Sequence, residues 1–462
     1  MSKIFLNVCL DSVCVIITLG MCEKGIKYYI KELLTIAAPI IMGNLGFILI
    51  GVGDVVVAGR HSTDTFAAIS IATAILNCIL TFGIGLISSI SPLLSNYRGE
   101  KKSVKKYFYP SIRFAMLLAI ITSLAIVAFI PIIPKMGFEQ KLIHPIQDYM
   151  LITALSTFGV YLHACLKEFL QAFEIVVFPN IVTMFCVFLN VVLNVILVFG
   201  FGPIPSLGVI GLAIASLLVR YFMGFALLIY CFINMSFRNY HEKAYYHNMV
   251  KIGMPISLAV LVEFVAFNSI AILMGRVSGV YAAAQNLVCT LTTISFMVPF
   301  AISNAIAVKV GFANGSHNSV DLKRYSLVGT VMSVGFMLCS AIVFSSFPKQ
   351  IVSIFTVDKN LFNIAIPIMY ILGIFQTFDG LQVALSGICK GIKQTGIVLF
   401  ANFVAYWCVS IPLGCFLAFH CKFYLKGFWL GLVSAAILLC SIMLYKLKKY
   451  YDSEYKKQEP AC

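Results

Sequence analysis

Twelve apolar runs, each about 20 residues or longer and so able to cross a bilayer, follow one another along this chain with polar breaks between them. Lipid offers no water to an unpaired backbone amide or carbonyl, so runs of this length must satisfy their backbone internally, as helices. They centre on residues 34–58, 66–96, 110–134, 149–172, 176–200, 208–234, 250–275, 281–311, 326–347, 361–388, 396–419 and 426–446. Composition agrees, with 61% hydrophobic and 11% charged residues, where soluble domains carry about a quarter charged. The pattern predicts an all-α integral membrane protein of twelve transmembrane helices, solvated by the lipid bilayer.

A formal net charge of +15 would suit nucleic acid if it formed one accessible patch, but the charges alternate between connections. With a cytoplasmic amino terminus, the inner side collects Lys24, Lys27 and Lys31, then Arg98, Lys101, Lys102, Lys105 and Lys106. Arg238, Lys243, Lys251, Lys309, Lys323, Arg324, Lys390, Lys393 and the tail from Lys446 to Lys457 follow on the same side. This positive-inside bias predicts an even number of spans with both termini cytoplasmic, and it removes the argument for a nucleic-acid partner. Residues 1–20 hold a short apolar stretch interrupted by Asp11, read as a non-spanning extension with a second start at Met21. The fifteen cysteines lie mostly within apolar runs, with no CxxC pair and no Cys/His cluster, which predicts neither disulfides nor zinc.

The chain also matches itself. Pro39 falls on Pro255, Gly59–Arg60 on Gly275–Arg276, Ala67–Ala68 on Ala283–Ala284 and Gly99 on Gly315, always at the same ungapped offset, 275 − 59 = 216. An offset of six spans restores helix direction, so the repeat predicts two parallel six-helix bundles, an arrangement used by secondary transporters. The expected organisation is an extension at 1–30, a bundle at 31–235, a cytoplasmic linker at 236–249, a second bundle at 250–446 and a basic tail at 447–462. Pro39 and Pro255, early in the first span of each half, are either static kinks or hinge points.

A few ionisable residues stand where lipid makes them expensive, about 2.5–3.5 kcal/mol at a helix centre. Asp54, in "GVGDVVVAGR", is either an interfacial acid or a buried one that a proton or Na⁺ would relieve. Asn190 and Asn194, four apart on one helix face, offer amide oxygens to a cation and N–H groups to a carboxylate, or simply join helices. Glu263 and Asp379 are lone acids in the other half; if their helices pack together they share a cation such as Na⁺ or a proton, or else one pairs with Arg220. Arg220 itself reads as a structural anchor, and His163 as a packing donor outside the site. Glu168 and Glu174 lie near the end of the fourth run. Phe264, Phe267, Phe375 and Phe378 flank the second-half acids, as packing or as a lining for flat lipophilic cations.

The pieces "IAAPIIMGNLGFILIGVGDVVVAGR", "LISSISPLLSNYRGE", "FLNVVLNVILVFG", "GMPISLAVLVEFVAF" and "LQVALSGICKGIKQTGIVLFANFVAYWCVSIPLG" occur in an order that resembles multidrug and toxic compound extrusion (MATE) transporters. The likeness spans roughly residues 31–446. It implies that Asp54, Asn190 and Asn194 form a coupling-ion site and that Glu263 and Asp379 form a second one, the latter pair resembling the NorM-like branch. Gln285 stands in "AAAQ", where the family commonly has "AAHQ", and Cys389–Gly391 replaces the usual "LRG".

The resemblance implies a monomeric antiporter of the bacterial inner membrane, without a cofactor. It would export small cationic amphipathic compounds in exchange for Na⁺ or H⁺. A lipid-linked oligosaccharide flippase would be expected to line its cavity with cations, whereas the deep charges here are mainly acidic. A membrane enzyme would need a reactive cluster such as HExxH, which the sequence lacks, and a channel would show conductance without stoichiometric exchange.

Overall fold

The computed structural model describes residues 25–203, 205–237, 242–356 and 358–458, with side chains as far as Asp452. The extension up to residue 24, residues 238–241 of the joining segment and the end of the tail lie outside the described residues. Among those described, twelve helical spans are long and apolar enough to cross a membrane. In the first half they are α1 (Ile26–His61), α2 (Thr63–Gly99), α3 (Val104–Met136), α4 (Gln140–Ala172), α5 (Val177–Phe199) and α6 (Gly208–Asn234). The second half holds α7 (Lys243–Val277), α8 (Gly279–Gly315), α9 (Ser319–Ser346), α10 (Lys359–Gly391), α11 (Thr395–His420) and α12 (Tyr424–Asp452). Each of the twelve apolar runs corresponds to one span.

Polar residues at the breaks explain where helices begin. Ser62, the lone residue between α1 and α2, accepts a hydrogen bond from the Thr65 N–H at 3.0 Å. Ser278 does the same between α7 and α8, accepting from the Val280 N–H at 3.3 Å, and each thereby satisfies a donor the helix start leaves free. The two serines stand at the offset of the sequence repeat (278 − 62 = 216), and both are extended, with φ of −164° and −166°. Lys101 and His317, just past α2 and α8, take φ of 58° and 54° at the same spacing, 317 − 101 = 216. Further on the offset grows by three: the starts of α4 and α10 are separated by 359 − 140 = 219, and Glu174 and Lys393, with φ of 65° and 62°, keep that value.

Two compact units are present. One comprises residues 1–38, 268–392 and 404–462, the other 39–267 and 393–403. Helices α1, α7 and α11 therefore contribute to both. The division in α1 falls immediately before Pro39, and that in α11 falls at Val404, where the α-helix gives way to a π-helical turn over Val404–Ser410. Within the first unit the start of α1 is tied to the α8–α9 corner. Tyr29, fully buried, donates to Asp321 Oδ1 at 2.7 Å and accepts from Arg324 Nη1 at 3.1 Å, and Glu32 pairs with Lys309. Within the second, the start of α7 meets the α2–α3 corner: the Tyr245 hydroxyl lies 2.6 Å from Ser111 Oγ, and Asn248 Nδ2 donates to the Tyr97 hydroxyl at 3.0 Å. Tyr29 and Tyr245 stand again at the repeat offset, 245 − 29 = 216.

Helix α4 forms the heart of the second unit, packed among α2, α3 and α6. Its crossing with α6 is close because Gly159 has no side chain: a Cβ there would lie 2.8 Å from the Arg220 carbonyl carbon. Small residues at such crossings let helix backbones approach. Gly159→Val costs about 1–3 kcal/mol by overpacking and lowers the thermal midpoint of the detergent-solubilised protein. Gly335→Val, with nothing within 4 Å of its Cβ, leaves that midpoint unmoved.

Outside the spans, Glu100 accepts from Lys102 Nζ at 2.5 Å and from Lys393 Nζ at 3.4 Å. Burial works against the ionised carboxylate, but the Lys102 hydrogen bond and the charges of Lys393 and Lys102 outweigh it, holding the group below its ordinary 4.5. A depressed acid stabilises the fold above its unfolded pKa and loses that contribution as pH falls through the folded value. The stability gap between wild type and Glu100→Gln is thus full at neutral pH and closes on titration below 4.5, as thermal melts across pH will show.

Candidate functional site

Glycines on one face of α1 bring α5 within reach. A Cβ on Gly43 would overlap the Asn180 amide, one on Gly46 would lie 2.9 Å from the Met184 sulfur, and one on Gly53 would lie 3.4 Å from Asn190 Oδ1. Asp54 follows that last glycine and is 9% exposed. Its Oδ1 accepts from Asn190 Nδ2 at 3.1 Å and from Asn194 Nδ2 at 2.6 Å, and Asn194 Nδ2 also lies 3.1 Å from Asn190 Oδ1. Its Oδ2 accepts from Ser216 Oγ of α6 at 3.0 Å. Three side chains from two helices thus replace the water that lipid withholds. Asn190 and Asn194 are fully buried, and Asn194 Oδ1 has no partner.

One turn beyond Ser216, Arg220 donates through Nη1 to Ser156 Oγ of α4 at 2.6 Å. Its guanidinium acts electrostatically on the Asp54 carboxylate, whose charge in turn reaches the buried Tyr149 hydroxyl. Arg220 is therefore anchored beside Asp54, in the unit that also holds Glu263. Sequence reasoning missed Ser216, Ser156 and Tyr149. Ser216 stands four residues before Arg220 on the same helix face, but that spacing alone does not mark a serine as a carboxylate partner.

In the other unit, Asp379 of α10 is 2% exposed. Gln376 and Gln382, three residues to either side, are also buried. Gln376 Nε2 donates to Ser295 Oγ of α8 at 3.1 Å, and Gln382 Nε2 to the Tyr406 hydroxyl of α11 at 3.3 Å. Both amide oxygens, Oε1, remain without partners. The helix therefore bears a carboxylate between two amide oxygens on successive turns, the hard-oxygen donor type that suits a cation. The even spacing about Asp379 was legible in the sequence, but neither glutamine was singled out.

Glu263 of α7 is half-buried and accepts from Asn402 Nδ2 of α11 at 3.5 Å. It belongs to the same unit as Asp54, whereas Asp379 belongs to the other. Phe264 and Phe267 are half-buried beside Glu263, and Phe378 is half-buried beside Asp379. Phe375 is fully buried, edge-on to Trp429 at 5.6 Å between ring centroids. Gln285, also fully buried, accepts from Trp429 Nε1 at 3.0 Å. Pro39 and Pro255 lie inside α1 and α7. His163 is buried on α4, and Glu174 pairs with Arg98 at 2.7 Å at that helix's end.

The MatE family model matches residues 39–196 and 255–416. The chain is 27% identical over 432 residues to the "Probable multidrug resistance protein NorM" of Mesorhizobium japonicum, spanning 90% of this chain and 92% of that one. It is 26% identical over 435 residues to the "Multidrug resistance protein NorM" of Aliivibrio fischeri, spanning 90% and 94%. Among solved structures it superposes on the eukaryotic MATE transporter AtDTX14 with a TM-score of 0.82 at 20% identity, over 94% of this chain and 100% of that one. A MOP superfamily transporter from Pyrococcus furiosus gives 0.85 at 16% identity, over 92% and 96%. With the family model covering most of both halves and the twelve spans of the fold in place, the chain belongs to the MatE family and is a multi-pass membrane transporter rather than an enzyme.

Proposed function

We propose that this transporter is a multidrug efflux antiporter, exporting cationic lipophilic compounds in exchange for Na⁺ or H⁺ by alternating access. It works as a monomer in the bacterial inner membrane, with both termini in the cytoplasm. The relatives named for multidrug resistance support the transport class. One observation carries the coupling: Asp54 is buried in an apolar belt, yet its hydrogen-bond partners are two amides and a hydroxyl, all neutral. With the neighbouring Arg220 guanidinium hydrogen-bonded to Ser156, a carboxylate solvated this way can still take a cation directly.

The donors around it set what ion binding does. A proton bound at Oδ2 weakens the hydrogen bond from Ser216 or turns that hydroxyl into its acceptor, and Asn194 Oδ1 is a buried acceptor without a partner. A Na⁺ ion would take a carboxylate oxygen together with amide oxygens from Asn190 and Asn194. Either event rearranges contacts linking α1, α5 and α6, so the ion binds two arrangements of these helices unequally. A hundredfold preference corresponds to about 2.7 kcal/mol. Glu263 and Asp379, one in each unit, are the further cation-binding acids of this reading, and Gln376 and Gln382 offer oxygens beside Asp379. When one monovalent cationic drug leaves for each ion admitted, the electrical work of about 2.3 kcal/mol per charge at 100 mV cancels, and the ion's concentration gradient alone drives export.

Efflux of a fluorescent lipophilic cation from proteoliposomes, under a Na⁺ gradient or separately a pH gradient, tests this. Asp54→Asn is expected to lower gradient-driven efflux at least about tenfold while the protein stays monodisperse; wild-type rates in that variant would make the carboxylate structural. Ser216→Ala removes one hydrogen bond to a charged group, a loss of about 1.5–3 kcal/mol, and is expected to shift the ion concentration for half-maximal efflux. Glu263→Gln combined with Asp379→Asn separates these acids from Asp54: if they couple Na⁺, Na⁺-driven efflux falls and pH-driven efflux persists.

A further inference from the structure

Helix α12 runs on past the apolar part of its span, and the charge it carries there is uncompensated. Tyr424, at its start, and Tyr445 are both exposed. They stand 445 − 424 = 21 residues apart, about 30 Å at about 1.5 Å per residue, the thickness of a bilayer's hydrocarbon. Tyrosines collect at both membrane–water interfaces, so Tyr445 marks the level at which the helix enters the headgroups. Lys446, Lys448 and Lys449 follow at once, all exposed. Lys448 and Lys449 come three and four residues after Tyr445 and so share a face with it. The opposite face stays packed: Met443 and Leu447 are buried, Tyr450 donates to Asn314 Oδ1 at the end of α8 at 3.2 Å, and the Tyr451 hydroxyl lies 3.1 Å from Ser326 Oγ of α9. Among the described residues none of the three lysines pairs with an acid; Asp452, one turn past Lys448, is exposed and makes no ion pair. By contrast Lys102 and Lys393 share Glu100, Lys106 lies 3.9 Å from Glu242, and Lys309 pairs with Glu32.

We infer that Tyr445, Lys448 and Lys449 form a headgroup site for an anionic phospholipid, with the phenol hydroxyl and the two ammonium groups meeting the phosphodiester and Lys446 adding to the attraction from the flank. Depth selects this partner. A ring that is 65% exposed at the edge of the hydrocarbon meets lipid, and basic residues immediately beyond a span draw anionic headgroups to them. Charge-assisted hydrogen bonds from ammonium groups to phosphate are the strong kind, and a zwitterionic lipid weakens them with its own cation. The positive-inside bias asks only for charge in a connection; here the charges are arrayed on a helix whose other face is tied to α8 and α9. Ser326 follows Tyr325, whose ring lies 4.9 Å from that of Tyr29. A lipid held at this site therefore braces the α8–α9 corner that receives the start of α1.

The test is retention of phosphatidylglycerol by the delipidated full-length protein in detergent, followed by native mass spectrometry, with phosphatidylcholine and glycerol phosphate as comparison ligands. Wild type is expected to retain phosphatidylglycerol in preference to phosphatidylcholine and to release it as salt is raised. Glycerol phosphate at the same concentration leaves it in place, because the acyl chains also hold the lipid against α12. Lys448→Gln with Lys449→Gln weakens retention by about thirtyfold, a factor of about five for each lysine, and Tyr445→Phe weakens it by a smaller factor. Lys448→Arg with Lys449→Arg keeps the charge and retains the lipid. Lys101→Gln with Lys105→Gln removes the same charge from exposed positions between α2 and α3 and leaves retention unchanged. Undiminished retention in Lys448→Gln with Lys449→Gln overturns the site. So does an equal loss in Lys101→Gln with Lys105→Gln, which would make retention a matter of net charge, or displacement by glycerol phosphate, which would make this a site for a soluble anion. All the substituted side chains are exposed, and binding is read without transport, so the outcome does not depend on whether Asp54 couples an ion.

Discussion

A carboxylate that lipid surrounds has to be solvated by the protein, and the arrangement of the first-half helices follows from how that is done. Asp54 draws two amide N–H groups from α5 and a hydroxyl from α6, so these three helices can meet only in a register that brings residues 54, 190, 194 and 216 to one depth. The bare face of α1 at Gly43, Gly46 and Gly53 admits α5 closely enough for the amides to reach. Gly159 then lets α4 lie against α6 at the turn of Arg220, where Ser156 takes the guanidinium. A polar requirement at one atom is in this way transmitted through four helices.

The backbone is duplicated, but the chemistry is not. Serine caps, left-handed residues and helix limits recur at one constant offset and then, past the third span of each half, at an offset three larger, yet none of the three acids within the spans does. The counterpart of Asp54 at +216 is Ile270, that of Glu263 at −216 is Phe47, and that of Asp379 at −219 is Val160. The two halves present one scaffold with acids on different helices and at different depths.

Much of this was legible before any coordinates. The spans followed from hydropathy because lipid leaves the backbone no alternative to a helix, and Asn190 and Asn194 declared a shared face by their spacing. Ser216 was not legible, because a serine in an apolar helix usually bonds its own backbone, as Ser257 and Ser326 do here to Gly253 and Leu322, and nothing local marks the exception. The growth of the repeat offset escaped notice because apolar helices between the landmarks match one another at many shifts. Pro39 marked a break in α1, but local sequence cannot say which distant helix the segment before it will join. That depends on Tyr29 meeting Asp321, 292 residues away.

That long reach bears on how the protein is made. The start of α1 precedes the other described spans in the chain, and its buried tyrosine and its Glu32 find their partners on α8 and α9; the start of α7 finds its own on α2 and α3. Neither unit is complete when the first six spans have left the ribosome, since one still lacks α7 and the other has only a fragment of α1. Until the ninth span is inserted, Tyr29 and Glu32 wait in the bilayer or at its surface with their polar groups unmatched. The interlocked ends therefore tie the completion of each unit to helices from the other half of the chain.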